Sequence, residues 1–331
     1  MNRLNVSVSP HIHEGSSTAT IMRDVLIALL PALIASVLIF GYRAALVTAV
    51  CVASCVLSEW LFEKALKRPS TIGDLSACVT GMLLAFSLPA GIPLWQAALG
   101  SVVAIIVIKQ LFGGIGRNFA NPAVTARIVM FLAFSGTMSA WTFPEGLFPA
   151  VNAVSSATAD GMSAATSVVD GISSATPLAA LSSGAAGATL PSLPDMLLGL
   201  RAGCIGETSA VALILGGIYL LARRIISWHA PAAFIGVVLA LSLALGYDAP
   251  YQLLSGGLLL GAIFMATDYS TTPITKTGKL VFGAGCGLIT ALIRFYGSYP
   301  EGVSFAILLM NIATPYIDRG FVRKPIGGKA A

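Results

Sequence analysis

Ten stretches of the chain are apolar and long enough to read as bilayer-crossing helices, which need about 20 residues each and somewhat fewer where helices pack together. They fall at roughly 24–41, 44–62, 74–89, 93–112, 121–137, 206–224, 229–246, 250–267, 279–296 and 301–318. The third and fifth are short, which predicts a broken or tilted helix at each. Between the fifth and sixth runs lies a stretch of about 70 residues, rich in Ser, Ala, Thr and Gly. Such a loop can build little core, so its presence asks for a purpose.

The pattern predicts an all-α polytopic membrane protein with about ten transmembrane helices as a 5+5 inverted repeat and a long external loop between the halves. Five spans on each side of the loop put the two halves in opposite orientations, as an inverted repeat requires. A faint internal echo supports it. Gln110-Leu111-Phe112-Gly113 closes the fourth span as Arg294-Phe295-Tyr296-Gly297 closes the ninth, and the next helices open near Asn121-Pro122 and Pro300-Glu301. The expected organisation is a cytoplasmic arm (1–23), a first five-helix repeat (24–137), the external loop (138–205), a second repeat (206–318) and a cytoplasmic tail (319–331). The polar first 20 residues lack the form of a cleavable signal peptide.

Composition agrees with the hydropathy. Hydrophobic residues are 56% of the chain, charged residues only 10%, and the mean hydropathy is +0.87. A soluble domain carries roughly 25% charged residues. The net charge of +5 is explained by basic loops on one membrane face, and nucleic acid is not an expected partner. With the N-terminus inside, sixteen of the nineteen Lys and Arg residues fall on the cytoplasmic side, Arg127 among them, and only Arg43, Arg201 and Arg294 fall outside. That bias predicts both termini in the cytoplasm of a bacterial cell, and the protein in its inner (cytoplasmic) membrane. Five cysteines show no CxxC pair, and four sit in apolar runs as small buried hydrophobes. No metal site is expected.

Four runs carry candidate chemistry. Asp170-Gly171-Ile172-Ser173-Ser174-Ala175-Thr176-Pro177-Leu178 lies in the loop. Gly113–Ala123 contains Arg117, Asn118 and Asn121; its glycines permit close backbone approach, and a helix opening at Pro122 offers free N–H groups to a phosphate. The same residues also read as a capped turn with Arg117 on the basic face. Ala266–Gly278 is a hydroxyl-rich turn, and its plain reading is a hydrophilic loop with a proline turn. In Ile293–Asn311 the simplest reading pairs Arg294 with Glu301 at the rim. Of the ionisable residues in or near spans (Asp24, Glu59, Glu63, Asp74, Lys109, Asp248, Asp268 and Asp318), most fall within a turn of a predicted end and can reach the interface, and Glu59 is the deepest.

Taken in order, these four runs resemble the RnfD/NqrB family. They look like the large membrane component of Rnf-type ion-translocating oxidoreductases and are similar to its counterpart in the sodium-pumping NADH:quinone oxidoreductase. The resemblance runs from about Asp24 to Asp318. It implies a ten-helix inverted-repeat fold like that of urea and ammonium channels. It also implies FMN esterified through its phosphate to a threonine by a separate flavin transferase, and a second, non-covalent flavin (riboflavin or FMN) in the membrane part. Other membrane and peripheral subunits are implied as partners, in a complex passing electrons between ferredoxin and NAD while moving Na⁺ or H⁺. Carried over residue by residue, the attachment motif falls on Asp170, Ser173, Ser174, Ala175 and Thr176, with Ser174 where glycine is common in the family. Asp160–Thr166 fits almost as well, but lacks the Pro177-Leu178 continuation; Ser155–Thr158 has Asn152 in place of the acid. Thr176 is the expected site and Thr166 the alternative. Arg117, Asn118 and Asn121 are expected flavin contacts. The competing function is a small-solute channel or secondary transporter on the same architecture.

Overall fold

A computed structural model describes residues 17–141, 178, 191–297 and 302–321. The described residues are helical, with no strand among them. The first helix, α1 (Thr18–Phe40), opens with the Ser17 hydroxyl accepting from Thr20 N–H, so helix begins six residues before the apolar run itself. A turn at Gly41 (φ 72°) leads to α2 (Tyr42–Ala65). A short 3₁₀ turn (Ile72–Asp74) precedes α3 (Ser76–Phe86), and α4 (Leu94–Gln110) changes to π winding over Val103–Gln110. Then come α5 (Pro122–Ala133) and the single turn α6 (Ser135–Met138).

Beyond the loop lie α7 (Leu193–Leu198), α8 (Ala210–Ala222) and α9 (His229–Ala244). The eighth apolar run is two helices: α10 (Ala249–Leu254) and, after a break at Ser255–Gly257, α11 over 258–265, whose second part is again π-wound. Two longer helices finish the chain, α12 (Lys276–Tyr296) and α13 (Val303–Gly320). Three helices, α1, α2 and α12, are long and apolar enough to cross a membrane alone by length and composition. The 11 residues of α3 rise only about 16 Å, half a hydrocarbon core. Each of the ten apolar runs contains helix, but the shortness expected at the third and fifth extends to the eighth.

Packing follows a paired scheme. α1 lies on α8 and α5 on α13, while α2 packs on α4 much as α9 packs on α12. The α1–α8 contact is close because Gly216 has no side chain: a Cβ there would lie 2.1 Å from the Ala28 carbonyl oxygen. The breaks before α3 and α11 are alike. Leu75 (φ 62°) and Gly257 (φ 65°) each hold the left-handed conformation at the N-cap. Glycine takes it without steric cost, whereas for Leu75 it is a strained position.

The end of the long loop packs into the buried body. Ile205 N–H donates to the Leu88 carbonyl at 3.0 Å and Gly206 N–H to that of Phe86 at 2.9 Å, so this stretch clips onto the end of α3. A Cβ on Gly206 would fall 2.2 Å from Phe86 Cβ. Arg201 and Cys204 are buried here.

Candidate functional site

Two polar clusters lie inside the apolar body. In the first, Glu59 and Glu63 are one helical turn apart and share a face of α2. Lys109 and Gln110 both reach Glu59 from the π-wound end of α4: Lys109 Nζ and Gln110 Nε2 each donate to Glu59 Oε1 at 2.7 Å. π winding brings two consecutive polar side chains to one side, and such bulges recur at functional sites. Lys109 also donates to Ser76 Oγ at 2.6 Å, at the left-handed break that starts α3. Thr71 N–H donates to Glu63 at 3.2 Å, and the Thr71 hydroxyl bonds both carboxylates. Glu59 Oε2 is buried without a partner. Glu59, Glu63 and Lys109 are thus enclosed, and the Lys109 charge is met internally.

A cavity opens beside this pair. Ser76 and Thr80 of α3, Lys109, Asn118, Asn121 and Asp268 supply its polar wall, with Met22, Val79 and Leu83 as its apolar one. It continues into a neighbouring space of about 280 Å³ between the start of α1 and the turns at 115–116 and 268–270. Asn121 caps α5, its Oδ1 accepting from Ala123 N–H (3.1 Å) and Val124 N–H (3.3 Å), while its Nδ2 donates to the Met265 carbonyl (3.3 Å) at the end of α11. Oriented to suit its neighbours, Asn311 of α13 accepts from Asn121 N–H at 3.1 Å and donates to the Thr271 carbonyl at 3.2 Å. Elements from both halves of the chain therefore meet at Asn121. Asp268 accepts from the Ser270 (3.0 Å) and Thr271 (3.2 Å) hydroxyls, yet burial outweighs them and pushes its carboxyl above the ordinary value.

The sequence placed Arg117, Asn118 and Asn121 together. The structure brings Asn118 and Asn121 to the cavity, while Arg117 is exposed, its Cδ against Gly113. The attachment residues Asp170, Ser173, Ser174, Ala175 and Thr176, the alternative Thr166 and Glu301 lie outside the described residues.

The second cluster is at the loop end of the helices. Arg127, half-way along α5, donates to the Ser87 carbonyl (3.0 Å), Ser304 Oγ (2.6 Å) and Cys204 Sγ (3.6 Å). These partners lie at the helix ends facing the long loop. Arg294 is buried rather than at the rim. Its guanidinium donates to the carbonyls of Gln252 (2.6 Å), Ser255 (2.8 Å) and Gly256 (3.3 Å), filling the break between α10 and α11. Leu178, two residues past Thr176, is buried, and its Cδ2 lies 2.9 Å from where a Gly256 Cβ would be. The motif reading did not foresee Arg127 or the Lys109–Glu59 pair. A lysine at the end of the apolar run Val103–Ile108 was the available signal for the pair.

An apolar helical body with broken helices and buried charge pairs defines a polytopic membrane protein with an internal polar site. The profile of the NQR2, RnfD, RnfE family matches residues 5–327, and the chain belongs to that family. It is 45% identical over 332 residues to a component of the Na⁺-translocating ferredoxin:NAD⁺ oxidoreductase complex of Acetobacterium woodii, covering 99% of this chain and 97% of the relative. It is 38% identical over 335 residues to the counterpart in the proton-translocating ferredoxin:NAD⁺ oxidoreductase complex of Clostridium ljungdahlii, covering 96% and 94%. The corresponding component of an ion-translocating oxidoreductase complex of Escherichia coli is 38% identical over 336 residues, covering 95% of each chain.

Proposed function

We propose that this chain is the flavin-carrying membrane component of an Rnf-type complex that couples electron transfer between ferredoxin and NAD to Na⁺ or H⁺ movement, with FMN esterified to Thr176. The observation that carries it is near-full-length similarity to relatives so named, together with the motif Asp170–Leu178. The packing of Leu178 supports an anchored site. Leu178, which ends the motif run, is held at Gly256 beside Arg294.

The arrangement is a ten-span 5+5 inverted repeat in the bacterial inner membrane, both termini cytoplasmic, with the loop outside. Its support is the pairing of α1 with α8 and α5 with α13, and the matched breaks at Leu75 and Gly257. In each half a cationic side chain from the fourth span meets the break in the third: Lys109 at Ser76, Arg294 at Gly256.

The place assigned to a second, non-covalent flavin is the cavity of about 60 Å³ at Asn118 and Asn121 together with the adjoining space of about 280 Å³. Asn118 and Asp268 offer polar groups to a flavin edge, Asn121 holds the wall through its bonds to α5 and the Met265 carbonyl, and Met22, Val79 and Leu83 offer an apolar face. Bound flavin supplies the redox chemistry; the chain's own residues bind and orient it and exclude water. Other components of the complex carry electrons to and from this chain, and a flavin transferase installs the FMN.

A test is denaturing electrophoresis of the chain after co-expression with a flavin transferase. A band that keeps flavin fluorescence, and loses it in Thr176→Val, supports the reading. A dark wild-type band, with the transferase active on a control protein, favours a solute channel instead.

A further inference from the structure

A second cavity lies between the turn joining α8 to α9 and the turn joining α11 to α12, and shares Ile225, Ile226, Thr267 and Tyr269 with a smaller space that reaches Asn121. It measures about 180 Å³ and presents Ser227, Thr267, Tyr269, Thr272, Ile274 and Lys279. The Tyr269 hydroxyl donates to the Ile225 carbonyl and so bolts the two turns together. In the sequence Arg224 precedes the lining residue Ile225, and Lys276 lies two residues past Ile274.

The charges here are unbalanced. Asp24 is paired with Arg223 and Asp268 accepts from the Ser270 and Thr271 hydroxyls, while Asp318 accepts from Ile274 N–H at the pocket wall. Arg224, Lys276 and Lys279 have no carboxylate partner among the described residues. The dipole of the 21-residue α12, which opens at Lys276, adds to the positive potential. The surroundings are apolar, with Ile274 86% and Trp228 59% exposed, and an aliphatic strip runs on along α12 through Leu280, Val281 and Leu288. A basic, hydroxyl-lined pocket at the end of membrane helices, continuous with an exposed aliphatic strip, has the form of a phospholipid site: phosphate above, acyl chain below.

We propose that this pocket binds the headgroup phosphate of an anionic phospholipid from the leaflet on the basic side of the membrane, with the acyl chain lying along α12. The inference rests on the membrane-spanning reading and is independent of flavin attachment. Lys279 and Arg224 are the charge-bearing contacts, Ser227 and Thr272 the hydroxyl donors. Lipid seated there holds the α8–α9 and α11–α12 turns together.

The test is native mass spectrometry of the full chain in detergent, titrated with phosphatidylglycerol and, separately, phosphatidylcholine. Wild type is expected to retain phosphatidylglycerol in preference to phosphatidylcholine. Removing two charges, Arg224→Gln with Lys279→Gln, is expected to weaken that retention roughly tenfold or more. A double variant at another basic stretch, Lys64→Gln with Lys67→Gln, leaves it unchanged, and melting curves verify that every variant is folded. Equal retention by wild type and Arg224→Gln/Lys279→Gln overturns the proposal, as does equal binding of the two lipids. Displacement of the lipid by inorganic phosphate at millimolar concentration would also overturn it, since the pocket would then take a free anion.

Discussion

Lys109 Nζ and Glu59 Oε1 lie 2.7 Å apart with both side chains enclosed, joining the π-wound end of α4 to α2 fifty residues earlier. Breaking a buried pair from one side leaves an uncompensated charge, at about 3–5 kcal/mol. Lys109→Met should lower the melting temperature in detergent sharply, and Glu59→Gln added to it should restore most of the loss. Equal destabilisation by single and double variants would mean the pair is not coupled.

Burial raises the Asp268 carboxyl pKa, so the folded chain binds its proton more readily than the unfolded chain. Stability from this group is greatest at low pH and is lost as pH rises from the ordinary carboxyl value through the raised one. Asp268→Asn should flatten that part of the stability–pH curve and raise stability at neutral pH. A curve of unchanged shape counts against burial as the dominant influence.

At Gly216 the backbones of α1 and α8 are close enough that a Cβ meets the Ala28 carbonyl, while a Cβ at Gly236 of α9 meets nothing within 4 Å. Gly216→Val should abolish accumulation of folded chain. Gly236→Ala should be neutral or stabilising by up to about 1 kcal/mol. Protease resistance in membranes distinguishes the two outcomes.

Much of this architecture is legible in the sequence, because a bilayer forces long apolar runs and each expected run holds helix. The interruptions are not. Ser255-Gly256-Gly257 sits within an apolar stretch and reads as a span continuing, and nothing in Val103–Gln110 announces π winding. Glu59 stands out as a deep acid, but its partner is fifty residues away and only folding brings them together. Asn121 is legible as a helix cap; its bond to the Met265 carbonyl, across 144 residues, is not. The hydropathy pattern counts Arg127 as a basic residue near a span end, and its bonds to Ser87, Ser304 and Cys204, far away in the sequence, are not legible there.

Arg127 ties α5 to the end of α3, to Cys204 and to α13. A hydrogen bond from a charged donor contributes about 1.5–3 kcal/mol. Arg127→Met should release the 199–209 stretch to hydrogen exchange while the α2–α4 region stays protected. Unchanged exchange at Ile205 and Gly206 would show that their bonds to α3 hold without it.

Peptide mass spectrometry on the chain purified after co-expression with an active flavin transferase tests the central claim most directly. The account predicts the mass of FMN less water on the peptide containing Thr176, and its absence in Thr176→Val. The same mass on the Thr166 peptide would contradict the assigned residue. No flavin on either peptide would contradict the flavoprotein reading itself.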